Sequence, residues 1–526
     1  MNAFPATNDG YRPTRPFRES LFSMVGMALV AMLVALDQTT VGTAMPQIVK
    51  DFGAFDLYAW VATSYMLTSV IAIPVFGRLG DLVGRKILLL AAIVLFTIAS
   101  LLCGFADSML HLVLARGVQG LGGGIMTGTI FATVADLFPS ATSRLRWQVV
   151  VSSAFAAGNI AGPILGGVLT QYCNWRLVFF INLPLGILSL LCIYRFLPDT
   201  QLVRRTDIAR IDWLGACLLI LSLIAALLLI EFLPRKGITE LTVQLALIVA
   251  AAAIALWVWE RRVANPIIPI GILSNRKLVA LFVASLLGGF ATFSLLLNVP
   301  LLFQGGFGMS SSHSGMLITP LVIGATAGAA LNNRLIVWVR RTNLTMSAGF
   351  ALFIVACFSV VAITGKMPHA IWMACMGIGG IGLGLVASGL SIFSQHMAAR
   401  TELGATIGLL QSLKTLGGML GISVTCSLLN HRYTGNVHNL LNSYQATQWF
   451  KSLASPTTLV GRADQTALVN QLVLSGHAGG AILEPARQAL IGAIHLGLAV
   501  AAGAALVGLC VTLFVPSVRI RYSDMR

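Results

Sequence analysis

The sequence predicts an all-α polytopic membrane protein with about 14 transmembrane helices, built as two six-helix bundles with two further helices inserted between them. Composition, the recurrence of apolar runs and an internal repeat predict it. Of 526 residues, 57% are hydrophobic and only 10% charged, where soluble domains carry about 25% charged residues. Mean hydropathy is +0.87. Apolar runs close to the ~20 residues of a spanning helix recur along almost the whole chain.

The runs place spans at roughly 22–44, 57–77, 86–105, 109–131, 147–170, 177–197, 212–231, 241–259, 278–303, 313–333, 344–364, 369–395, 404–430 and 489–515. The first is read as a span and not a removable signal, because no small-residue cleavage site follows it. With both termini in the cytoplasm, 23 of the 34 Lys and Arg lie on inward segments, nine lie outside, and Arg116 and Lys414 lie within spans. This asymmetry is the positive-inside pattern. The net charge of +16 is therefore topology and not a nucleic-acid surface. Of eight cysteines only Cys173 falls in an outward loop, so neither a disulfide framework nor a metal-type spacing is expected. His431 and His438 read as solvated loop residues.

The repeat links the two bundles. "GRLGDLVGRK" (77–86) aligns with "NRLIVWVRRT" (333–342), and "RGVQGLGGG" (116–124) with "MGIGGIGLG" (376–384). Gly117, Gly120, Gly122 and Gly124 thereby match Gly377, Gly380, Gly382 and Gly384, while Asp81 faces Val337 and Arg116 faces Met376. The division expected is 1–200 for the first bundle, 201–270 for the inserted spans and 271–526 for the second bundle. Segment 431–488, with Trp449, Phe450 and an amphipathic stretch near "LVNQLVLSG", reads as the main external loop.

Asp37, in "MLVALDQTTVGTAMPQI" (32–48), carries a carboxylate into a run suited to hydrocarbon, and intramembrane ionisable groups are functional by default. It sits about seven residues, or ~10 Å, below the outer end of the first span, and Arg116 lies at the same depth on the fourth. Pairing lowers the desolvation cost of both. Burial favours a neutral acid and a neighbouring cation favours the carboxylate, so a proton can compete with Arg116. The alternative is a static ion pair locking two helices. "GNIAGPILGG" (158–167) combines a GxxxG face at Gly158 and Gly162 with Pro163, Gly166 and Gly167, which predicts a bendable helix at a tight interface. In "GRLGDLVGRK", Gly77, Gly80 and Gly84 permit a tight cytoplasmic turn, and Arg78, Asp81, Arg85 and Lys86 supply charges that pair or cap helix ends. "GIGGIG" (377–382) fits a dinucleotide fingerprint, with Glu402 twenty residues on, but no strand precedes it. With no phosphate-binding loop in the sequence, no cofactor is expected and an ion gradient is the natural driving force.

Taken together, these strings resemble the 14-span drug:proton antiporters of the major facilitator superfamily, the EmrB/QacA type. "LDQTTVGTAMPQI" (36–48), "GRLGDLVGRK", "RGVQG" (116–120) and "GNIAGPILGG" match the signatures in order, and "NWRLVFFINLPLG" (174–186) and "IDWLGACLL" (211–219) are typical of the group. The resemblance implies a major facilitator fold and export of lipophilic or cationic small molecules by alternating access. It implies that Asp37 is the protonation-linked carboxylate and Arg116 its modulator, with Gln119 and Gly120 in the same fourth-span motif. Gly77, Asp81 and Arg85 belong to the cytoplasmic gate, and Gly158, Gly162, Pro163, Gly166 and Gly167 to the antiporter bend. Where some relatives carry a second acidic residue in the late spans, this chain has Lys414; Glu231 is a weaker candidate. The expected setting is the plasma (inner) membrane, with protons, a small molecule and lipid as partners, no nucleic acid, and a periplasmic adaptor should the cell have two membranes. Two other readings stay open: a dedicated exporter of one metabolite or toxin, and a membrane receptor without turnover.

Overall fold

The computed structural model describes residues 17–138, 141–198, 212–263, 274–338, 343–362, 367–397, 403–443, 453, 456–459 and 479–515. Its regular elements are all helical. The first half comprises α1 (Phe17–Phe52), α2 (Tyr58–Val83), α3 (Arg85–Gly104), α4 (Met109–Leu137), α5 (Ala141–Tyr172), α6 (Leu177–Phe180) and α7 (Asn182–Phe196). Two helices follow, α8 (Trp213–Lys236) and α9 (Glu240–Glu260). The second half comprises α10 (Arg276–Leu301), α11 (Ser311–Trp338), α12 (Asn343–Ala362), α13 (His369–Met397), α14 (Leu403–Ser443) and α15 (Gly479–Leu513).

Among the described residues 12 helices are long and apolar enough to cross a membrane, against the 14 spans the sequence predicts. The two that differ are α4 and α8. With 29 residues, α4 is about 43 Å long at 1.5 Å per residue, but Arg116, Gln119 and its run of glycines dilute its hydropathy. In α8 the apolar stretch counted among the described residues is Cys217–Ile230, too short by itself to cross.

Two apolar cores form. One gathers residues of α1–α7, including Met27, Leu33, Ile93, Phe96 and Phe179, and the other residues of α10–α15, including Leu281, Phe350, Phe353, Phe393 and Leu498. Helices α8 and α9 pack on each other, and α8 also touches α2 and α14. Leu241, Leu247, Ile254 and Val258 of α9 stay exposed, as suits a helix facing lipid.

The aligned glycines make matching contacts in the two halves. A Cβ on Gly120 or Gly124 would strike the α2 backbone at Tyr65 and Ser69, and one on Gly122 would meet the α3 backbone at Ala92. In the second half Gly380 and Gly384 press on α11 at Leu321 and Ala325, and Gly382 on α12 at Gly349 and Phe353. Each central helix is thus held between its two partners at backbone contact distance, which a side chain would prevent.

Two expectations about the chain's course are corrected. The tight turn over 77–86 is a single residue: α2 runs on to Val83, and Gly84 alone, at φ 104°, reverses the chain into α3. Only glycine adopts that conformation without strain. The sixth span stands as expected, over Leu177–Phe196, with α6 passing into α7 at Ile181, which keeps helical dihedrals. Most of the supposed external loop's flanks are helix, because α14 continues to Ser443 and α15 begins at Gly479. Tyr433, Val437 and Leu441 on the α14 extension are buried with Leu453, Leu459 and Ile482, and the Tyr433 hydroxyl donates to the Leu453 carbonyl at 2.8 Å. Burial of this apolar stripe carries the helix on. Trp449, Phe450 and "LVNQLVLSG" lie outside the described residues.

The halves are bonded at the end bearing Trp175. Gln304 donates to the Thr43 carbonyl at 3.3 Å and accepts from the Ser311 hydroxyl at 3.1 Å. The Ser312 amide donates to the Gln171 side chain at 3.0 Å, and the Tyr58 hydroxyl to the Leu297 carbonyl at 3.3 Å.

Candidate functional site

The unusual charges of the first half meet inside it. Arg116 Nη1 donates to Asp37 Oδ2 at 2.7 Å. Gln119, one turn along α4 and on the same face, donates from Nε2 to Asp37 Oδ1 at 2.9 Å and accepts from Arg116 Nη1 at 2.7 Å. Asn182, the first residue of α7, donates to Asp37 Oδ1 at 2.9 Å. The Ser100 hydroxyl of α3 accepts from Gln119 and Asn182, each at 2.9 Å, and donates to the Phe179 carbonyl at 3.2 Å. The Cys103 thiol donates to Gln119 Oε1 at 3.5 Å. The amide orientations follow from the partners, since reversing either would set oxygen against the carboxylate.

Asp37, Gln119, Asn182 and Ser100 are 0% exposed and Arg116 2%. The guanidinium lies 4.3 Å from the Tyr65 ring centroid, a cation–π contact beneath the ion pair. Gly120 explains the register: it draws α4 against the α2 backbone at Tyr65, and Arg116 lies one turn before it. A carboxylate so placed exchanges a proton with water only if the helices part, because neither oxygen reaches solvent.

Helix α5 lies against the same stretch of α1. Cβ atoms on Gly158 and Gly166 would meet the carbonyls of Met32 and Thr40, each at 2.6 Å, and one on Gly162 would strike the Thr39 side chain. The other side of α5 meets α11: a Cβ on Gly167 would lie 2.6 Å from the Ser311 carbonyl, and the Pro163 carbonyl abuts Gly315. The antiporter string therefore joins the Asp37 helix to the second half.

The remaining candidates lie apart from this cluster. Gly77, Arg78 and Asp81 are in the last turns of α2, with side chains outside the described part. Gly80 lies against Leu88 and Arg85, and Lys86 stands 5.9 Å above the Tyr194 ring. Glu231 is on α8, its side chain likewise not described. Lys414 is half-buried on α14, its carbonyl against Gly289 of α10, and no acidic partner for it occurs among the described ion pairs.

Sequence reasoning did not single out Ser100, Cys103, Asn182 or Tyr65. Asn182 stood inside the quoted "NWRLVFFINLPLG", and the signal that would have marked it is a polar amide two residues before Pro184, at the passage from α6 into α7. Proline lacks an N–H, so it suits a first helical turn and leaves no amide there unsatisfied.

A bundle of apolar helices in two like halves, with a buried ion pair inside the first, fits a membrane transporter. The family model described as Major Facilitator Superfamily matches residues 27–422, and the chain belongs to that superfamily, whose members are transporters and not enzymes. It is 31% identical over 422 residues to the multidrug transporter protein MdtP of Bacillus subtilis, covering 79% of this chain and 76% of that protein. It is 29% identical to multidrug resistance protein 3 of the same organism, over 81% of this chain and 83% of that one. The uncharacterized MFS-type transporter EfpA of Mycobacterium tuberculosis is 30% identical over 80% of this chain and 78% of its own. Among solved structures, a bacterial homolog of the human lysosomal transporter Spinster, inward-facing and unoccupied, superposes with a TM-score of 0.63 at 15% identity, covering 96% of this chain and 100% of that one. That likeness concerns the fold.

Proposed function

We propose that the chain is a proton-coupled antiporter that exports lipophilic or cationic small molecules across the plasma membrane, on a 14-span scaffold of the EmrB/QacA type. In this reading α4 and α8 also span, both termini are cytoplasmic, and a proton gradient drives transport without a nucleotide or other cofactor. The observation that carries it is the placement of Asp37. A fully buried carboxylate is held by one cation and two amides, on a helix whose glycine-lined neighbour α5 is the bridge to α11.

The cycle follows from the pair. In the state with the Trp175 end closed, which is the external end by charge asymmetry, Asp37 is ionised and Arg116 neutralises it. Cargo enters from the cytoplasm between the halves. Once the halves rock and the external end opens, a proton can reach Asp37 and loosen the hold of Arg116, and the loss of that contact favours return. Relatives named as multidrug transporters support a broad cargo range. A dedicated exporter is the second reading: Lys414, half-buried without an acidic partner among the described ion pairs, would repel a cation and suit an acidic metabolite. A periplasmic adaptor is a partner only in a cell with two membranes.

The test is proton-gradient-driven uptake of a fluorescent lipophilic cation into inverted vesicles. Uptake by the wild type that collapses in Asp37→Asn supports exchange through this carboxylate. Equal uptake by both would place coupling elsewhere, with Glu231 the next residue to change.

A further inference from the structure

Asn182 is a member of the Asp37 cluster that the ion pair does not account for. It comes from α7, a helix that carries no charge into the cluster, and it follows Ile181, where α6 passes into α7 with helical dihedrals kept. Its Nδ2 lies 2.9 Å from both Asp37 Oδ1 and Ser100 Oγ, while its Oδ1 is buried without a hydrogen-bond partner. Burying an unpaired amide oxygen costs free energy, and flipping the amide would only move the oxygen against Asp37. The orientation is therefore held by the carboxylate and by Ser100, at the expense of the amide's own carbonyl.

We infer that Asn182 is a positioning residue that sets how tightly Asp37 holds a proton. The inference rests on Asp37 being the coupling carboxylate. Oδ2 is neutralised by Arg116 and Oδ1 accepts from Gln119 and Asn182, so the ionised form has three donors. A protonated Asp37 would keep fewer of these bonds at full strength, because hydrogen bonds to a charged acceptor are roughly twice as strong as those to a neutral one. Each donor thus favours release of the proton. Arg116 does so by charge and cannot be removed without stranding the carboxylate, whereas Asn182 does so without charge and is a graded control. The other groups facing Asp37 are Gln119 of α4, Ser100 and Cys103 of α3 and Tyr65 of α2. None of these carries a charge that could stand in for the lost amide.

The experiment is an infrared pH titration of the purified full-length protein, following the carboxyl C=O band that is absent in Asp37→Asn. Asn182→Leu keeps the branched shape and removes the donor. Its band is expected to titrate about one pH unit higher than in the wild type, a tenfold tighter hold on the proton. Asn182→Thr keeps a hydroxyl of shorter reach; it should shift the same way by less, and it carries the test should Asn182→Leu fail to fold. An unchanged or acid-shifted midpoint in a variant that still exchanges cargo for protons overturns the role of Asn182 and leaves the transport reading intact. A shifted midpoint in a protein whose wild type exchanges nothing for protons supports the role of Asn182 and overturns the transport reading. A purely structural asparagine would lower activity at every pH without moving the titration.

Discussion

Where α4 of the first half carries Arg116, the matching helix α13 of the second carries Met376. Both are buried, and the glycines that follow make matching contacts with neighbouring backbones. Their surroundings differ in kind. Arg116 lies over Tyr65 and is tied to Asp37 and Gln119, whereas Met376 lines a crevice with Leu302, Phe303, Phe307, Val360 and Trp372. Phe303 and Phe307 pack on Trp372 at ring-centroid distances of 5.0 and 4.8 Å. The polar contacts of α10 with α14 among the described residues are neutral, from Asn298 to the Thr425 hydroxyl at 2.9 Å and from the Ser285 hydroxyl to the Leu410 carbonyl at 2.8 Å. One packing scheme therefore accommodates either a charged network or an apolar cluster. What it requires is close backbone approach, and the chemistry is set by a few side chains one turn away.

The largest effect should come from erasing the contrast. Arg116→Met in the first half leaves Asp37 buried with no cation, which costs about 3–5 kcal/mol and should lower the melting temperature in detergent sharply. Adding Asp37→Leu should restore much of that stability, because an apolar pair of similar volume replaces an ion pair at little cost, while proton-driven exchange stays absent. A double variant no more stable than Arg116→Met would mean that the network holds α1 and α4 together by more than charge pairing.

A smaller effect sharpens what the halves share. Gly120→Ala and Gly380→Ala should each destabilise by about 1–3 kcal/mol, since both new methyl groups meet a backbone carbonyl, of Tyr65 and of Leu321 respectively. Loss confined to the Gly120 variant, measured by thermal unfolding, would show that the second half tolerates a looser seam. The smallest effect concerns the contact between halves. Gln304→Leu removes the bond to Thr43, worth about 1 kcal/mol. It should shift the closed–open balance at the Trp175 end several-fold toward open, read by distances between spin labels on α1 and α11.

Much of the helix layout was legible because hydropathy is a property of the chain read in order: an apolar run near 20 residues long must bury its backbone polar groups in a helix wherever it sits in the bilayer. The same logic marked Asp37 and Arg116, whose cost in hydrocarbon is visible without any neighbour. Helix ends were less legible. Gly84 alone makes the turn because its neighbours remain helical, and α14 outruns its apolar segment because Tyr433 and Leu441 find a core.

By itself, the sequence determined that this is a polytopic helical membrane protein with a repeat, which residues are too costly to be in lipid without purpose, and where glycine allows backbones to touch. Tertiary structure alone decided which neutral groups complete the site. Ser100, Asn182 and Tyr65 are unremarkable in a span, since a hydroxyl or amide there can bond its own helix at little cost. Ser100 and Asn182 join the Asp37 network, and Tyr65 lies beneath Arg116, because α3, α7 and α2 are brought to α1 and α4 from distant parts of the chain. No local property of the sequence encodes that meeting.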